Sequence, residues 1–171
     1  MRLTVYSDYA LRLLMYLAVR TEKLTTIPEV AKAYSISPNH LMKVVHQMGQ
    51  AGYVETVRGR GGGVRLARAA DTIGLGEVVR FTEPDMDIVP CFQPENQSCP
   101  LWRACRLKGA LDQARHAFLA VLDDYTIGDL TTVGAPLRLV LGIDPEPKFP
   151  EAPQGAGERR ARPRQGQGDP K

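Results

Sequence analysis

Residues 53–67 constrain this chain more than any other stretch. YVETV at 53–57 and VRLA at 64–67 are short β-prone runs, and RGRGGG at 58–63 stands between them. Two such runs around a Gly-rich break predict a β-hairpin. Gly59, Gly61, Gly62 and Gly63 permit positive φ and leave no side chain to block a close approach. Arg58 and Arg60 then sit where a cation could reach a phosphate row or a narrow minor groove. The same Gly/Arg composition could cradle a nucleotide phosphate, but the Gly-x-x-x-x-Gly-Lys-[Ser/Thr] order is absent and no helix opens after it.

What precedes the hairpin gives it a context. Ser7 is placed to cap a first helix with Leu13, Leu14, Leu17 and Ala18 on one face. Thr26, Pro28 and Glu29 form the capping box and first turn of a short second helix, with Val30, Ala31 and Tyr34 facing inward. Ser35-Ile36-Ser37 makes a tight turn. Ser37 and Pro38 then start a third helix whose Leu41, Val44, Val45 and Met48 repeat at helical spacing. A helix pair with a tight turn, followed at once by a hairpin, predicts a winged helix-turn-helix. The third helix would expose Asn39, His40, Met42, Lys43, His46 and Gln47. Asn and Lys are types that read base edges and phosphates, and a helix start at Ser37–Asn39 turns backbone N–H groups toward an anion. The expected DNA contacts are therefore Ser37, Pro38, Asn39, His40 and Lys43 on the helix, with Arg58, Gly59 and Arg60 on the wing.

Charge agrees with this division. Residues 1–70 carry a net of +6, residues 71–143 a net of −4 and the last 28 residues a net of +1. A basic first part suits a polyanionic partner. No apolar run approaches the ~20 residues of a membrane span, and there is no secretory signal, so a cytoplasmic location with no membrane partner is expected.

Beyond the hairpin, Leu75, Val78 and Val79 mark a short helix, followed by an irregular Pro-rich loop. After Cys105 a long amphipathic helix carries Leu107, Leu111, Ala114, Phe118, Val121, Leu122 and Tyr125 as an apolar stripe. Regulators of this type bind paired half-sites as dimers, so this helix is the expected homodimer interface. From Asp144 the chain is rich in Pro, Gly, Gln and Arg and too poor in apolar side chains to fold alone. The expected organisation is a winged helix-turn-helix DNA-binding domain at 1–83, a cysteine-containing cluster loop at 84–105, a dimerisation helix and following segment at 106–143, and a disordered tail at 144–171. The fold class is mostly α with a small β-hairpin.

All three cysteines, Cys91, Cys99 and Cys105, lie in CFQPENQSCPLWRAC. A structural zinc site would need four ligands, commonly two Cys-x-x-Cys knuckles, and neither knuckle exists. Redox Cys-x-x-Cys chemistry is missing too, and the loop has no histidine to activate a nucleophilic thiol. The remaining reading is an iron–sulfur cluster completed by a fourth, non-cysteine group. An enzyme or electron carrier is disfavoured because no substrate motif and no second cluster set are present.

The stretches MRLTVYSDYALRLLMYLA and NHLMKVVHQMGQAGYVETVRGRGGGVRLAR, with the cysteine trio before an amphipathic helix, resemble a bacterial family of winged-helix iron–sulfur repressors over about residues 1–131. The likeness is greatest to its nitric-oxide sensors and more distant to its cluster-assembly regulators. The latter place a histidine three residues after the last cysteine, where this chain has Lys108. The resemblance implies that Cys91, Cys99 and Cys105 of one subunit, with Asp8 from the partner subunit, hold a [4Fe–4S] cluster. It also implies that nitric oxide is the effector and that nitrosylation releases double-stranded operator DNA. A [2Fe–2S] redox-sensing regulator of the same family is the alternative. Seven residues separate Cys91 from Cys99, two more than such sensors often have.

Overall fold

The computed structural model describes residues 2–96 and 98–143; the tail expected at 144–171 lies outside them. The elements run α1 (Val5–Val19), α2 (Ile27–Tyr34), α3 (Pro38–Gln50), β1 (Val54–Val57), β2 (Gly63–Leu66), α4 (Leu75–Thr82), α5 (Arg106–Asp123), α6 (Ile127–Thr131) and α7 (Ala135–Val140). Strands β1 and β2 form an antiparallel hairpin in which Val54 faces Leu66 and Val57 faces Gly63. This is the mostly helical fold with a small two-stranded sheet that the sequence predicts.

Local chemistry sets most of these boundaries. At α2, the backbone N–H and hydroxyl of Thr26 donate to Glu29 Oε2 at 2.7 and 2.8 Å. Helix α2 ends at Ser35, whose φ of 54° puts it in the left-handed region and turns the chain directly into Ser37 and α3. Helix α1 differs from expectation at its start. Its N-cap is Thr4, whose Oγ1 accepts the Ser7 N–H at 3.2 Å. Ser7 is instead fully buried inside the first turn and donates its hydroxyl to Glu83. Both residues are cap types, but the Thr4 Oγ1 accepts the Ser7 N–H, which places Ser7 inside the first turn rather than at its start.

One core joins the helices to the hairpin: Leu13, Leu14 and Leu17 of α1, Val30 of α2, Leu41, Val44, Val45 and Met48 of α3, and Val54 and Val64 of the strands are all buried in it. Ile127 of α6 and Leu141, just beyond α7, enter the same core. Arg138 of α7 also reaches back to α1, donating to the Val19 carbonyl at 2.6 Å and pairing with Glu22 at 2.8 Å. Leu41 has no exposed surface, so Leu41→Ala is expected to destabilise the fold by roughly 2–5 kcal/mol. A urea titration would read this as a lowered midpoint at unchanged slope; a loss under about 1 kcal/mol would contradict close packing at that position.

The hairpin is braced at both ends. Thr25 and Val64 exchange backbone hydrogen bonds of 2.7 and 3.0 Å, which pins β2 to the segment before α2. At the base, Glu77 of α4 accepts from Tyr53 at 3.0 Å and from Arg68 at 2.6 Å. The Arg68 hydrogen bond is the main reason the Glu77 carboxyl titrates below its ordinary range, while burial, and then Glu77 itself, push the Tyr53 phenol up to about 12. A depressed carboxylate stabilises above its unfolded-state value, so this brace is lost as pH falls through the folded-state value.

Helix α5 stands apart. It buries none of its residues, and Leu107, Val121 and the following Tyr125 are 67%, 57% and 46% exposed. Arg80 of α4 clamps it by a two-pronged pair with Asp123, both bonds 2.6 Å. No helix among the described residues is long and apolar enough to cross a membrane.

Candidate nucleic-acid interface and cysteine loop

The inward set of α3 leaves one outer face, and Ser37, Pro38, Asn39, His40, Met42, Lys43, His46 and Gln47 on it are all exposed. The Ser37 side chain makes no cap bond, so the helix start presents unsatisfied backbone donors. On the hairpin tip, Gly59 and Gly61 take φ of 100° and 77°, which side chains rarely adopt. The Gly62 N–H closes the turn on the Gly59 carbonyl at 2.9 Å. Arg58 and Arg60 project from this tip and are exposed. Glu55 pairs with Arg65 at 2.9 Å. Among the described residues no carboxylate pairs with Lys43, Arg58 or Arg60. Helix α3 and the wing thus present unneutralised cations, the arrangement a phosphate backbone needs.

The cysteines occupy the irregular segment between α4 and α5. Cys91 is half-buried in a short 3₁₀ turn, Pro90–Phe92, and Cys99 is exposed. Cys105 is the N-cap of α5, its Sγ accepting the Lys108 N–H at 3.3 Å. None of the three forms a disulfide. Lys108 lays its ammonium 3.5 Å from the centre of the Trp102 ring. Arg115 of α5 pairs with Asp112 at 2.6 Å and Asp87 at 3.5 Å, and covers the Phe92 ring at 4.8 Å. These contacts staple the loop to α5, and Phe92, Cys105, Lys108, Gly109, Asp112 and Arg115 line a cleft of about 310 Å³.

The structure collects the three thiols in one loop without bringing them to one point: among the described residues no three Cys, His, Asp or Glu side chains converge as a metal site. Asp8 lies on the first turn of α1 and pairs with Arg12 at 2.9 Å, both side chains nearly half exposed. The donor chemistry nonetheless suits an iron–sulfur centre. The thiols are unbridged, one caps an 18-residue helix whose positive end favours negative charge, and Arg103, Arg106 and Lys108 surround it in the chain. A metal and its site commonly form together, so a group held here would itself have to gather the three sulfurs.

Glu83 is the residue that local sequence reading overlooks. One of its oxygens accepts from the Thr4 N–H at 2.8 Å, the Thr4 hydroxyl at 3.2 Å and the Ser7 hydroxyl. It ties the start of α1, which carries Asp8, to the entrance of the cysteine loop. The partners lie 76 and 79 residues apart, so no local pattern signals the contact.

Comparison with known proteins places this arrangement. A family model described as "Rrf2: Iron-dependent Transcriptional regulator" matches residues 3–132. The chain is 53% identical over 131 residues to an HTH-type transcriptional regulator NsrR of Bacillus subtilis, covering 76% of this chain and 90% of that protein. It is 49% identical over 142 residues to a protein of the same name in Shouchella clausii, covering 82% and 95%. Among solved structures it resembles CymR, the global cysteine regulator of B. subtilis, with a TM-score of 0.63 and 25% identity, over 78% of this chain and 98% of that one.

Proposed function

The chain belongs to the Rrf2 family of iron-dependent transcriptional regulators, and from that premise we propose that it is a homodimeric repressor whose hold on operator DNA is set by a [4Fe–4S] cluster that senses nitric oxide. It is a DNA-binding regulator and not an enzyme. The observation that carries the reading is the presence, in one chain, of an unobstructed reading face on α3 and the wing and a loop of three unbridged cysteines stapled to α5.

In this proposal Cys91, Cys99 and Cys105 hold the cluster together with Asp8 of the partner subunit. The cluster would supply an iron bound by a carboxylate, a harder ligand than sulfur, and so open to a small molecule. The chain's own residues carry the consequence. A change in the loop reaches α1 through Glu83, and α1 packs against α3. The unburied stripe of α5 seals the dimer and sets the separation of the two reading heads. Coupling of this kind requires the loop state to bias head spacing by a few kcal/mol. Nitric oxide as effector rests on the resemblance carried by residues 39–68 and the cysteine trio.

Anaerobic purification followed by iron and sulfide analysis, then nitric oxide added to the DNA-bound protein, tests this. The expected result is about four irons and four sulfides per subunit and release of DNA on exposure. About two irons per subunit would favour the redox-sensing alternative, and DNA binding indifferent to nitric oxide would remove the sensor.

Asp8→Ala separates ligand from scaffold. The Asp8–Arg12 pair is exposed, so its loss costs at most ~1 kcal/mol of stability. Cluster lifetime under nitric oxide is expected to change clearly, followed by the decay of visible absorbance. Decay at the wild-type rate would move the fourth ligand elsewhere.

A further inference from the structure

Two of the chain's three histidines, His40 and His46, stand on the outer face of α3. With Lys43 they line a groove of about 680 Å³ against α1, whose wall includes Tyr6 and Tyr9. The rings of His40 and Tyr9 lie 6.5 Å apart. Among the described residues no carboxylate lines this groove. The acids on elements packed against α3 are engaged elsewhere: Asp8 of α1 with Arg12 at 2.9 Å, Glu29 of α2 with Arg20 at 2.6 Å, and Glu55 of β1 with Arg65 at 2.9 Å. Of the remaining titratable neighbours, burial pushes the Tyr6 phenol up, keeping it neutral, and Lys43 is a cation. Among the described residues, no carboxylate therefore pairs with either imidazole.

Docking on DNA reverses that balance. A phosphate row places about one negative charge per 1.7 Å of duplex beside the face, and imidazole ordinarily changes charge between pH 5 and 8. We propose that His40 and His46 are proton-linked phosphate contacts, so that the protein holds duplex DNA more tightly as pH falls from about 8 to about 6. Each imidazole that gains a proton on docking neutralises one further phosphate and releases a further counterion. The proposal rests on α3 being the reading helix. It adds a pH input, independent of the cysteine loop, to the same face.

The test uses the anaerobically purified holoprotein and a labelled mixed-sequence duplex of about 30 base pairs at about 50 mM salt, where backbone contacts dominate binding. Cluster absorbance is followed at each pH, so that cluster loss is seen separately. Wild type is expected to bind about tenfold tighter at pH 6 than at pH 8, with a steeper salt slope at pH 6. His40→Gln with His46→Gln should abolish the difference between its own pH 6 and pH 8 affinities, and each single variant should remove part of the difference. His116→Gln, on α5, should leave the difference intact. All three imidazoles are exposed, so folding is expected to survive; if the double variant does not fold, the single ones decide. An undiminished pH difference in the variants overturns the proposal. A wild type that binds no duplex at any pH overturns the reading of α3 beneath it, which is a different result.

Discussion

Cys105→Ser protein, purified without oxygen, is expected to contain neither iron nor sulfide above background and to lose cluster-dependent repression while keeping its fold. The substitution is informative because position 105 has two separable tasks. As the N-cap of α5, its sulfur accepts the Lys108 N–H, and serine does this at least as well, being among the preferred cap residues. The loop is also held independently of the sulfur by Arg115 against Asp87 and Phe92, and α5 is held to α4 by Arg80 against Asp123. What serine cannot supply is a soft, anionic ligand near neutral pH. With Cys91, Cys99 and Asp8 of the partner subunit alone, two sulfurs and a carboxylate would have to retain a centre that normally takes four protein ligands. Helicity by circular dichroism and the unfolding midpoint of the metal-free protein should match metal-free wild type within about 1 kcal/mol. Iron and sulfide retained at wild-type levels would remove Cys105 from the ligand set.

The contrast between the two halves of this position shows what the sequence encodes legibly. Caps and periodicities are local: Thr26 and Glu29 announce α2, the spacing of Leu41, Val44, Val45 and Met48 announces α3, and the glycines at 59–63 announce the wing, because each feature is settled by residues within one or two turns. Ser7 shows where that reasoning fails. Its type is right for a cap, yet its hydroxyl answers to Glu83, a residue remote in the chain. Ile127 and Leu141 are similar, since their apolar character is plain but nothing local says that they fill the core built by α1 and α3. The cysteine loop is a third case. The thiols can be counted from sequence, but three donors dispersed along an irregular segment would acquire a common focus only with a group that they hold together. Asp8, if it serves the partner subunit, is completed by a second copy of the chain. What is legible is therefore the kind of donor, and what is not is its convergence.

Gly62→Ala is expected to abolish high-affinity DNA binding, an effect far larger than that of Arg60→Ala at the same hairpin. A Cβ at position 62 would overlap the Val57 carbonyl oxygen and lie 3.0 Å from that of Gly59. Both obstacles are backbone atoms, so no rotamer change relieves them. The turn bond from Gly62 N–H to Gly59 O must break, and with it the geometry that aims Arg58 and Arg60. The damage should stop there, because β2 is separately fixed by the Thr25–Val64 bridge and by burial of Val64. Binding of duplex DNA is thus expected to fall by a hundredfold or more, on the order of 3 kcal/mol, while the thermal midpoint shifts only a few degrees. Arg60→Ala removes one cation from an intact tip, so it should weaken binding about tenfold and reduce the salt slope by about one. The ordering of the two variants is the decisive measurement. If Gly62→Ala bound as well as wild type, the tip would tolerate another shape and could not be what positions the arginines on DNA. If it bound no worse than Arg60→Ala, one arginine would account for the whole contribution of the wing, and α3 would carry the rest.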